Sequence, residues 1–396
     1  MSARSLHVLL VHNYYQQTGG EDRVFEAEGS LLESRGHRVR RYTAHNDVIT
    51  GFNQFAVAAK SFWNTRTTRD LGRLLKQQNV DVVHFHNTMP LISPSAYYAA
   101  KRAGAAVVQT LHNYRLFCPK SILMRDGKVC EECIGRSFAL PAVQHACYRE
   151  SKVASSVLAS MLYVHKRVDT WNTKIDVNIA LTNFARDKYI AGGLDPERIV
   201  VKPHFVETAL TPGDGSSGTA LFVGRLSEEK GVRTLLKAWN DERVTRPLVI
   251  VGDGPLAEEV RRAADENPLI TWLGRLPPND VFDRIREAAV MIAPSECYET
   301  FGRVVIESFS LGTPVIVSDI GAIGELVADG FTGLKFEAGN ATALRESVLR
   351  FFADEGQVQQ MRTNALKEHR DRYTADHNYP MLMEAYERAI EVNSRS

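Results

Sequence analysis

The chain has 396 residues, of which 44% are hydrophobic and 24% are charged. This composition is typical of globular proteins and excludes collagen, coiled coil and global disorder, while the length predicts two domains or one unusually large one. The apolar run at residues 6–11 is too short for a signal-peptide core or a membrane span, and no later stretch is long enough. We therefore expect a soluble or peripheral protein in the cytoplasm.

The net charge of +1 is the sum of a basic first part of the chain and an acidic second part. Residues 1–205 contain 27 Lys and Arg against 17 Asp and Glu, whereas residues 206–396 contain 21 against 30. This division predicts two domains with different partners, the basic one meeting phosphates or an anionic membrane surface. Simple drift in surface composition is the alternative.

The first half of the chain alternates predicted strands with predicted helices. The apolar patterns predict strands at 7–12, 37–42, 81–86, 106–111, 177–181 and 199–202, and helices at 21–35, 67–78, 93–103 and about 155–170. Such alternation predicts right-handed crossovers and a parallel sheet. His84 and His86 are predicted to point to opposite faces of their strand, which makes metal binding by this pair improbable.

A cysteine-rich insertion, residues 118–150, interrupts this alternation. Cys118, Cys130, Cys133 and Cys147 lie within 30 residues, and the only other cysteine is Cys297. Without an export signal, structural disulfides are disfavoured. The spacing is compatible with one structural zinc held by four thiolates, or with four free thiols or a redox pair.

A linker rich in Gly, Ser, Thr and Pro at 208–219 precedes a second alternating region. Its predicted strands are 220–223, 248–251, 270–273, 290–293 and 315–318, and the tail at about 376–393 is amphipathic. The predicted organisation is α/β, with domains at 1–207 and 208–375 and a C-terminal helix at 376–396 packing back on the first domain. Two doubly wound, parallel-sheet domains would place ligand sites at strand ends in a central cleft.

The turn after the first strand of the second domain carries two cations. Arg225 and Lys230 follow Gly224 in the segment 221–231, and this pair suits a diphosphate. A solvated charged turn is the alternative. The turn that contains Arg275 could supply contacts to a nucleobase, although such turns are common.

Two acids lie further along the same domain, eight residues apart. Glu299 is predicted in a loop, and Glu307 is predicted on an apolar helix that begins near Phe301. The free N–H groups of a helix start bind anions, so phosphate is expected against residues 300–303. A carboxylate beside phosphate is costly unless it accepts hydroxyl hydrogen bonds, which sugars provide.

On these motifs the chain resembles glycosyltransferase family 4, which comprises retaining, nucleotide-sugar-dependent enzymes of the GT-B fold with two Rossmann-like domains. The resemblance rests on the Arg225–Lys230 turn, the Glu299 and Glu307 spacing, and the loops at Gly19-Gly20 and His112. The resemblance implies that Arg225 and Lys230 bind the diphosphate, that Glu299 contacts hydroxyls of the transferred sugar and that Glu307 contacts the ribose. It also implies that Phe301 and Gly302 supply backbone N–H groups and that Gly19 and Gly20 let their loop approach the phosphate closely. His112 would orient the sugar or the leaving phosphate.

The expected function is transfer of a sugar from a UDP- or GDP-sugar, UDP being favoured, to a glycan, lipid-linked or small acceptor. The expected chemistry requires no catalytic metal, and front-face transfer is what the family implies. A polyprenyl-linked glycan at the inner membrane face is the preferred acceptor, because basic residues flank Phe62 and Trp63. No nucleic-acid partner is expected. Alternatives are a nucleotide-sugar 2-epimerase or hydrolase on the same fold, and a non-catalytic anion- or lipid-binding protein.

Overall fold

The computed structural model describes residues 4–16, 19–51 and 54–395. The chain divides into two compact units. The first comprises residues 1–122, 131–203 and 378–396, and the second comprises residues 123–130 and 204–377. The short hairpin of the cysteine-rich segment therefore groups with the second unit, although the sequence analysis assigns that whole segment to the N-terminal domain.

Fourteen strands are found in the described residues. They are β1 His7–Tyr14, β2 Arg38–His45, β3 Val82–Asn87, β4 Ala106–Thr110, β5 Met124–Arg125, β6 Lys128–Val129, β7 Val177–Ala180, β8 Ile199–Val201, β9 Ala220–Val223, β10 Leu248–Val251, β11 Ile270–Trp272, β12 Val290–Ala293, β13 Val315–Ser318 and β14 Gly333–Phe336.

The helices follow most of these strands. They are α1 Gly20–Ser34, α2 Gln54–Phe62, α3 Thr65–Gln78, α4 Ser95–Arg102, α5 Leu140–Gln144, α6 Lys152–Arg167, α7 Thr170–Thr173, α8 Asn183–Ala191, α9 Val232–Trp239, α10 Ala257–Glu266, α11 Pro278–Glu287, α12 Arg303–Ser310, α13 Gly321–Glu325, α14 Ala341–Ala353, α15 Glu355–Arg372 and α16 Ala375–Ser394. Within the described ranges, none is both long and apolar enough to cross a bilayer.

The first unit is built on a six-stranded sheet in the order β2-β1-β3-β4-β7-β8. All neighbouring strands run parallel, so helical crossovers cover both faces, and the central strands β1, β3 and β4 are buried along almost their whole length. Leu10 and Val108 of the sheet share one buried cluster with Phe25 of α1 and with Leu382 and Tyr386 of α16. The C-terminal helix is thus part of the core of this unit.

The second unit has a parallel six-stranded sheet in the order β11-β10-β9-β12-β13-β14. Because β9 and β12 are neighbours, the loops that follow them lie side by side at the carboxyl edge of the sheet. This is the position at which doubly wound sheets bind ligands. The α/β class with two doubly wound parallel-sheet units is confirmed.

Most predicted elements are present, with ends shifted by a few residues. The helix predicted to begin near Phe301 begins at Arg303, with Gly302 as its N-cap. The opposite-face prediction for His84 and His86 is wrong. Side chains two residues apart share one face of a strand, and these two rings lie with centroids 4.5 Å apart.

Candidate functional site

Lys230 and Glu299 meet at the carboxyl edge of the second unit's sheet. Lys230 follows β9, Glu299 follows β12, and their Nζ and Oε1 atoms are 2.9 Å apart. Ser295 Oγ donates a further hydrogen bond to the Glu299 carboxylate. Sequence spacing suggested both residues of the ion pair, whereas Ser295 was missed because a serine in a loop carries no distinguishing pattern.

The environment keeps both members of this pair charged. Burial opposes the ionisation of Glu299, but the Lys230 ammonium and the Ser295 hydroxyl outweigh it and lower the pKa of the carboxyl. Burial likewise favours the neutral amine, but the Glu299 carboxylate outweighs it and raises the pKa of Lys230. An ionised carboxylate accepts hydrogen bonds only, which suits it to sugar hydroxyls.

Glycines allow the two loops to approach each other closely. Gly231 has φ +68°, and a Cβ on it would lie 1.8 Å from the Pro294 carbonyl oxygen. The Glu296 backbone N–H donates to the Glu229 carbonyl at 2.9 Å, which ties the same loops together. A side chain at Gly231 would therefore separate Lys230 from the β12 loop.

Glu307 is buried and has a charged partner on its own helix. Its exposed fraction is 7%, and its Oε1 lies 3.1 Å from Arg303 Nε one turn earlier. A buried carboxylate without a partner is costly, and for Glu307 the Arg303 guanidinium already offsets that cost. The Arg303–Glu307 spacing of four residues is the signal that could have identified this pair.

The remaining predicted donor-site residues of the second unit lie on neighbouring turns. Arg225 and Arg275 are exposed, and in the described part of the chain neither guanidinium forms an ion pair. Arg275 follows β11, which lies two strands away from β9.

Phe301 is buried, with its ring centroid 5.0 Å from that of His204. This packing fixes the backbone that leads into Gly302, where φ is +115°.

The predicted residues of the first unit gather at the ends of β1 and β4. Gly19 is the N-cap of α1, and its N–H donates to Asp22 Oδ2 at 2.7 Å. Asn113 Nδ2 donates to Glu21 Oε1 at 3.0 Å, which connects the helix start to the segment that follows His112. A Cβ on Gly19 or on Gly20 would meet no atom within 4 Å, so the chain's own packing does not require glycine there.

His112 lies against a buried polar cluster that the sequence analysis did not predict. Its Nε2 is 3.1 Å from His86 Nδ1, and His86 Nε2 is 3.4 Å from Glu28 Oε2. The second Glu28 oxygen accepts a hydrogen bond from Lys202 Nζ at 2.7 Å. Sequence patterns do not reveal this cluster because its four members come from four separate segments of the chain.

A cavity of about 50 Å³ opens beside His112 within the first unit. Its walls are mainly apolar, with Tyr97, Met161 and Trp171 among them, and Arg115 adds one cation. Trp171 is buried, and its indole N–H has no hydrogen-bond partner among the described residues. A polar atom of a small ligand or of water in this cavity could accept that hydrogen bond.

None of the four clustered cysteines forms a disulfide within the described residues. Cys133 is buried in a small apolar cluster with Ala139, Ala142 and Ala159, against which Cys147 packs. Cys118 is buried and Cys130 is half-buried. A zinc ion bound by these four residues stays a prediction.

Comparisons with known proteins identify two matching family models. "Glycosyltransferase Family 4" matches residues 18–210 and "Glycosyl transferases group 1" matches residues 213–368. An uncharacterized glycosyltransferase of Methanocaldococcus jannaschii is 32% identical over 42% of this chain and 48% of its own length. The chain thus spans about half the length of the curated relatives it matches first.

Two further matches cover most of the chain. The N-acetyl-alpha-D-glucosaminyl L-malate synthase of Bacillus anthracis is 23% identical over 86% of each chain. The crystal structure of Anabaena HepE in complex with UDP is 16% identical, covers 96% of this chain and 99% of its own, and gives a TM-score of 0.67. At this identity the structural likeness shows the fold alone, which is the GT-B fold. With a family model matching each half, the chain belongs to glycosyltransferase family 4.

Proposed function

We propose that the protein is a retaining glycosyltransferase that moves a sugar from a nucleotide diphosphate sugar to a glycan or lipid-linked acceptor. The observation that carries the proposal is the Lys230–Glu299 ion pair at adjoining strand ends of the second unit. It combines a phosphate-binding cation with an acceptor for sugar hydroxyls. UDP is the preferred nucleotide, in keeping with the UDP complex of the structurally similar HepE.

The proposed mechanism assigns the leaving group to the second unit. Lys230 and the exposed Arg225 would neutralise the diphosphate as the glycosidic bond breaks, and the N-terminal N–H groups of α12 would add backbone donors. Because side chains and a helix terminus would stabilise the developing charge, the proposed mechanism requires no catalytic metal. In a front-face transfer, the leaving phosphate oxygen would accept the proton of the acceptor hydroxyl.

The proposed roles of the acids follow from their different surroundings. Glu299 lies in a loop beside Lys230 and would accept hydrogen bonds from the transferred sugar. Glu307 lies on α12 with Arg303 and would accept hydrogen bonds from the ribose. In the first unit, the open space at Gly19 and Gly20 is consistent with close approach of this loop to a phosphate.

A donor screen followed by a product assay tests the proposal. We expect one nucleoside diphosphate sugar, from a panel of UDP- and GDP-sugars, to raise the melting temperature, and a glycan product with the donor's anomeric configuration to form. NMR of the product's anomeric proton gives the stereochemistry. Release of free sugar or of a 2-epimer without any acceptor would instead indicate the hydrolase or epimerase, and binding without turnover across acceptors would indicate a binding protein.

We further propose that the first unit binds an anionic membrane surface and takes a polyprenyl-linked acceptor there, at the inner face. The supporting feature is the α6 surface, which we define as Trp63, Val153, Val164 and Val168. These side chains are 41%, 72%, 44% and 56% exposed. Trp63 adjoins the helix because the Phe62 carbonyl lies 3.1 Å from His165 Nε2 of α6.

The charges around this surface favour an anionic partner. The α6 sequence, KVASSVLASMLYVHKR, contains no acidic residue, and Lys152 and Arg167 are exposed at its two ends. An exposed apolar stripe flanked by cations is typical of helices that lie in a bilayer interface. A second copy of the same basic surface would be repelled, so anionic lipid is the preferred partner.

A further inference from the structure

The cavity beside His112 lies at the carboxyl edge of the first unit's sheet. Its walls include Asn87 at the end of β3, Leu111 just after β4, and Met161 and Leu162 of α6. Every residue that lines it belongs to the first unit. Doubly wound sheets bind ligands at this edge, so the cavity occupies the position of a ligand site.

Polar side chains of the cavity wall have partners within the chain. Gln109 Oε1 accepts a hydrogen bond from Tyr97 Oη at 2.6 Å, and Gln109 Nε2 donates to the His86 carbonyl at 3.1 Å. Asn87 Nδ2 donates to the Asn13 carbonyl at 2.8 Å. These amides therefore hold the wall together and are not available to a ligand without loss of an internal hydrogen bond.

The indole N–H of Trp171 differs from these groups. Trp171 lines the cavity and is 6% exposed, and its Nε1 has no hydrogen-bond partner among the described residues. Within the same residues, the only other buried lining atom of this kind is His86 Nε2, which lies 3.4 Å from a Glu28 carboxylate oxygen. A buried donor without an acceptor costs free energy, which an oxygen atom of a ligand would recover.

The two rings that pack near Trp171 do not supply this acceptor. Tyr97, whose ring centroid is 6.2 Å away, already donates its hydroxyl proton elsewhere. His165, whose centroid is 5.5 Å away, has Nδ1 2.9 Å from Thr170 Oγ1 and Nε2 3.1 Å from the Phe62 carbonyl. A molecule bound in the cavity is therefore the available source of an acceptor for the indole N–H.

The size and polarity of the cavity define the group that fits. Its 50 Å³ holds roughly four non-hydrogen atoms, since one water-sized group needs about 10–15 Å³. Tyr97, Met161, Leu162 and Trp171 are buried and make the walls mainly apolar. An acetamido group has this size, and it combines a methyl group for the apolar walls with a carbonyl oxygen for the N–H.

We propose that the cavity is an acceptor subsite that takes the acetamido group of an N-acetylated sugar, with Trp171 Nε1 donating to its carbonyl oxygen. The inference rests on the proposed function, which assigns the nucleotide sugar to the second unit and leaves the acceptor to the first. It narrows the acceptor to one whose terminal sugar carries an N-acetyl group.

A carboxylate and a resident water molecule are the competing occupants. Arg115 is the one lysine or arginine among the lining residues, and its guanidinium already donates to Ser121 Oγ and to the Pro119 carbonyl. A carboxylate in this apolar cavity would therefore be poorly compensated. A buried water typically makes about three hydrogen bonds, and the engaged amides of the wall leave it few partners besides Trp171.

The indole N–H itself reports whether the subsite is occupied. The chain has four tryptophans, so a ¹H–¹⁵N correlation spectrum contains four indole signals, which single tryptophan-to-phenylalanine substitutions assign. We expect the methyl glycoside of N-acetylglucosamine or of N-acetylgalactosamine to shift the Trp171 signal downfield, because a hydrogen bond deshields the proton. The signals of Trp239 and Trp272 are internal references, since their N–H groups already donate to backbone carbonyls at 2.9 and 3.0 Å.

Titrations give the affinity and its dependence on the N–H. The N-acetylated glycoside should bind about 10-fold more tightly than methyl glucoside, methyl galactoside or methyl glucuronide, which lack the carbonyl and the methyl of the acetamido group. Trp171→Phe keeps an aromatic ring but removes the N–H, and it should weaken binding by about 3- to 10-fold in ligand-observed NMR. Tyr98→Phe is the matched control, because it removes a hydrogen bond to Thr170, next to Trp171, outside the cavity. It should keep the affinity.

Three results would overturn the proposal. They are a Trp171 signal that no N-acetylated glycoside shifts, equal or tighter binding of the parent sugars or the glucuronide, and a Trp171-dependent preference for N-acetylated nucleotide sugars without one for N-acetylated glycosides. If Trp171→Phe does not fold, the other three substitutions assign the Trp171 signal by elimination, and the unsubstituted protein decides. Because binding of the glycosides needs no donor and no turnover, it distinguishes failure of this subsite from failure of the proposed glycosyl transfer.

Discussion

Lys230 connects the two loops of the proposed donor site, and its charge has two consequences. It offers a cation to a diphosphate, and it keeps the Glu299 carboxylate ionised against the effect of burial. Removing the ammonium would therefore weaken phosphate binding and also raise the pKa of Glu299. In the proposed mechanism, a single residue therefore acts on both the leaving group and the contact to the sugar.

Replacing either cation should slow the reaction. We expect Lys230→Ala and Arg225→Ala each to cost about 2–4 kcal/mol of transition-state stabilisation, mainly as a lower kcat. Arg233→Ala is the control, since its exposed pairs with Glu228 and Glu259 contribute little. Steady-state kinetics at saturating donor measure the effect. If both variants kept the turnover of the unsubstituted enzyme, the phosphate site would lie elsewhere.

Substitutions of the two acids, Glu299 and Glu307, should have different effects on nucleotide binding. Glu299→Gln is expected to impair turnover with almost unchanged affinity for the free nucleoside diphosphate, whereas Glu307→Gln should weaken that affinity. Calorimetry with UDP makes the comparison. Glu296→Gln is the control, because Glu296 lies in the same loop but accepts from Thr234 Oγ1 at 2.6 Å. Equal losses of UDP affinity in the two acid variants would contradict the division of roles.

At the scale of elements, the cysteine-rich segment lacks an extensive core. Its regular structure consists of the β5–β6 hairpin and the short helix α5, and Cys133 belongs to a cluster of only four buried residues. Short segments of this kind are often held by a metal ion or by cross-links. The four thiols supply ligands of the type that zinc prefers.

We predict one structural zinc per chain, bound by Cys118, Cys130, Cys133 and Cys147. Elemental analysis of protein purified without chelator should find about one zinc, and chelation should lower the melting temperature because the bound ion contributes to folding. Cys297→Ser is the control, since Cys297 lies outside this segment, and should keep the zinc. A metal-free protein that is equally stable would show that the four residues are structural thiols.

At the scale of the whole molecule, the most informative property is the division of charge. The first 205 residues have an excess of cations and the rest an excess of acids. Part of the basic excess is neutralised locally, since Arg41 Nη1 lies 2.6 Å from Glu33 Oε1. Arg38, Arg40, Arg66, Arg69, Arg73 and Lys76 stay exposed and are available to a distant anionic surface.

We predict binding to anionic liposomes that depends on salt and on the α6 surface. Co-sedimentation should rise with the anionic lipid fraction and fall between about 50 and 500 mM salt, because screening shortens the electrostatic range. A Trp63→Ser, Val164→Ser variant should bind less, whereas Phe331→Ser, an exposed apolar residue of the second unit, should not change binding. Absence of binding at low salt would exclude the membrane acceptor and leave the glycosyltransferase assignment intact.

The sequence by itself determined the features that depend on local spacing. Alternating strands and helices gave the two parallel sheets, and the motifs around Lys230 and Glu299 gave the family, because turns between strand and helix carry recognisable residues at fixed offsets. The ends of elements were less accurate, as at α12, because capping at Gly302 depends on a backbone with φ +115° that sequence spacing does not encode.

Only the tertiary structure decided which distant residues meet. The partners of Glu28 are His86 and Lys202, which are 58 and 174 residues away along the chain. Their contact depends on the order of strands in the sheet, which periodicity does not contain. The pairing of Lys230 with Glu299 likewise requires β9 and β12 to be neighbours. The spacing of residues along the sequence indicates local chemistry, whereas the charge state and tautomer of a buried group depend on which side chains the fold places beside it.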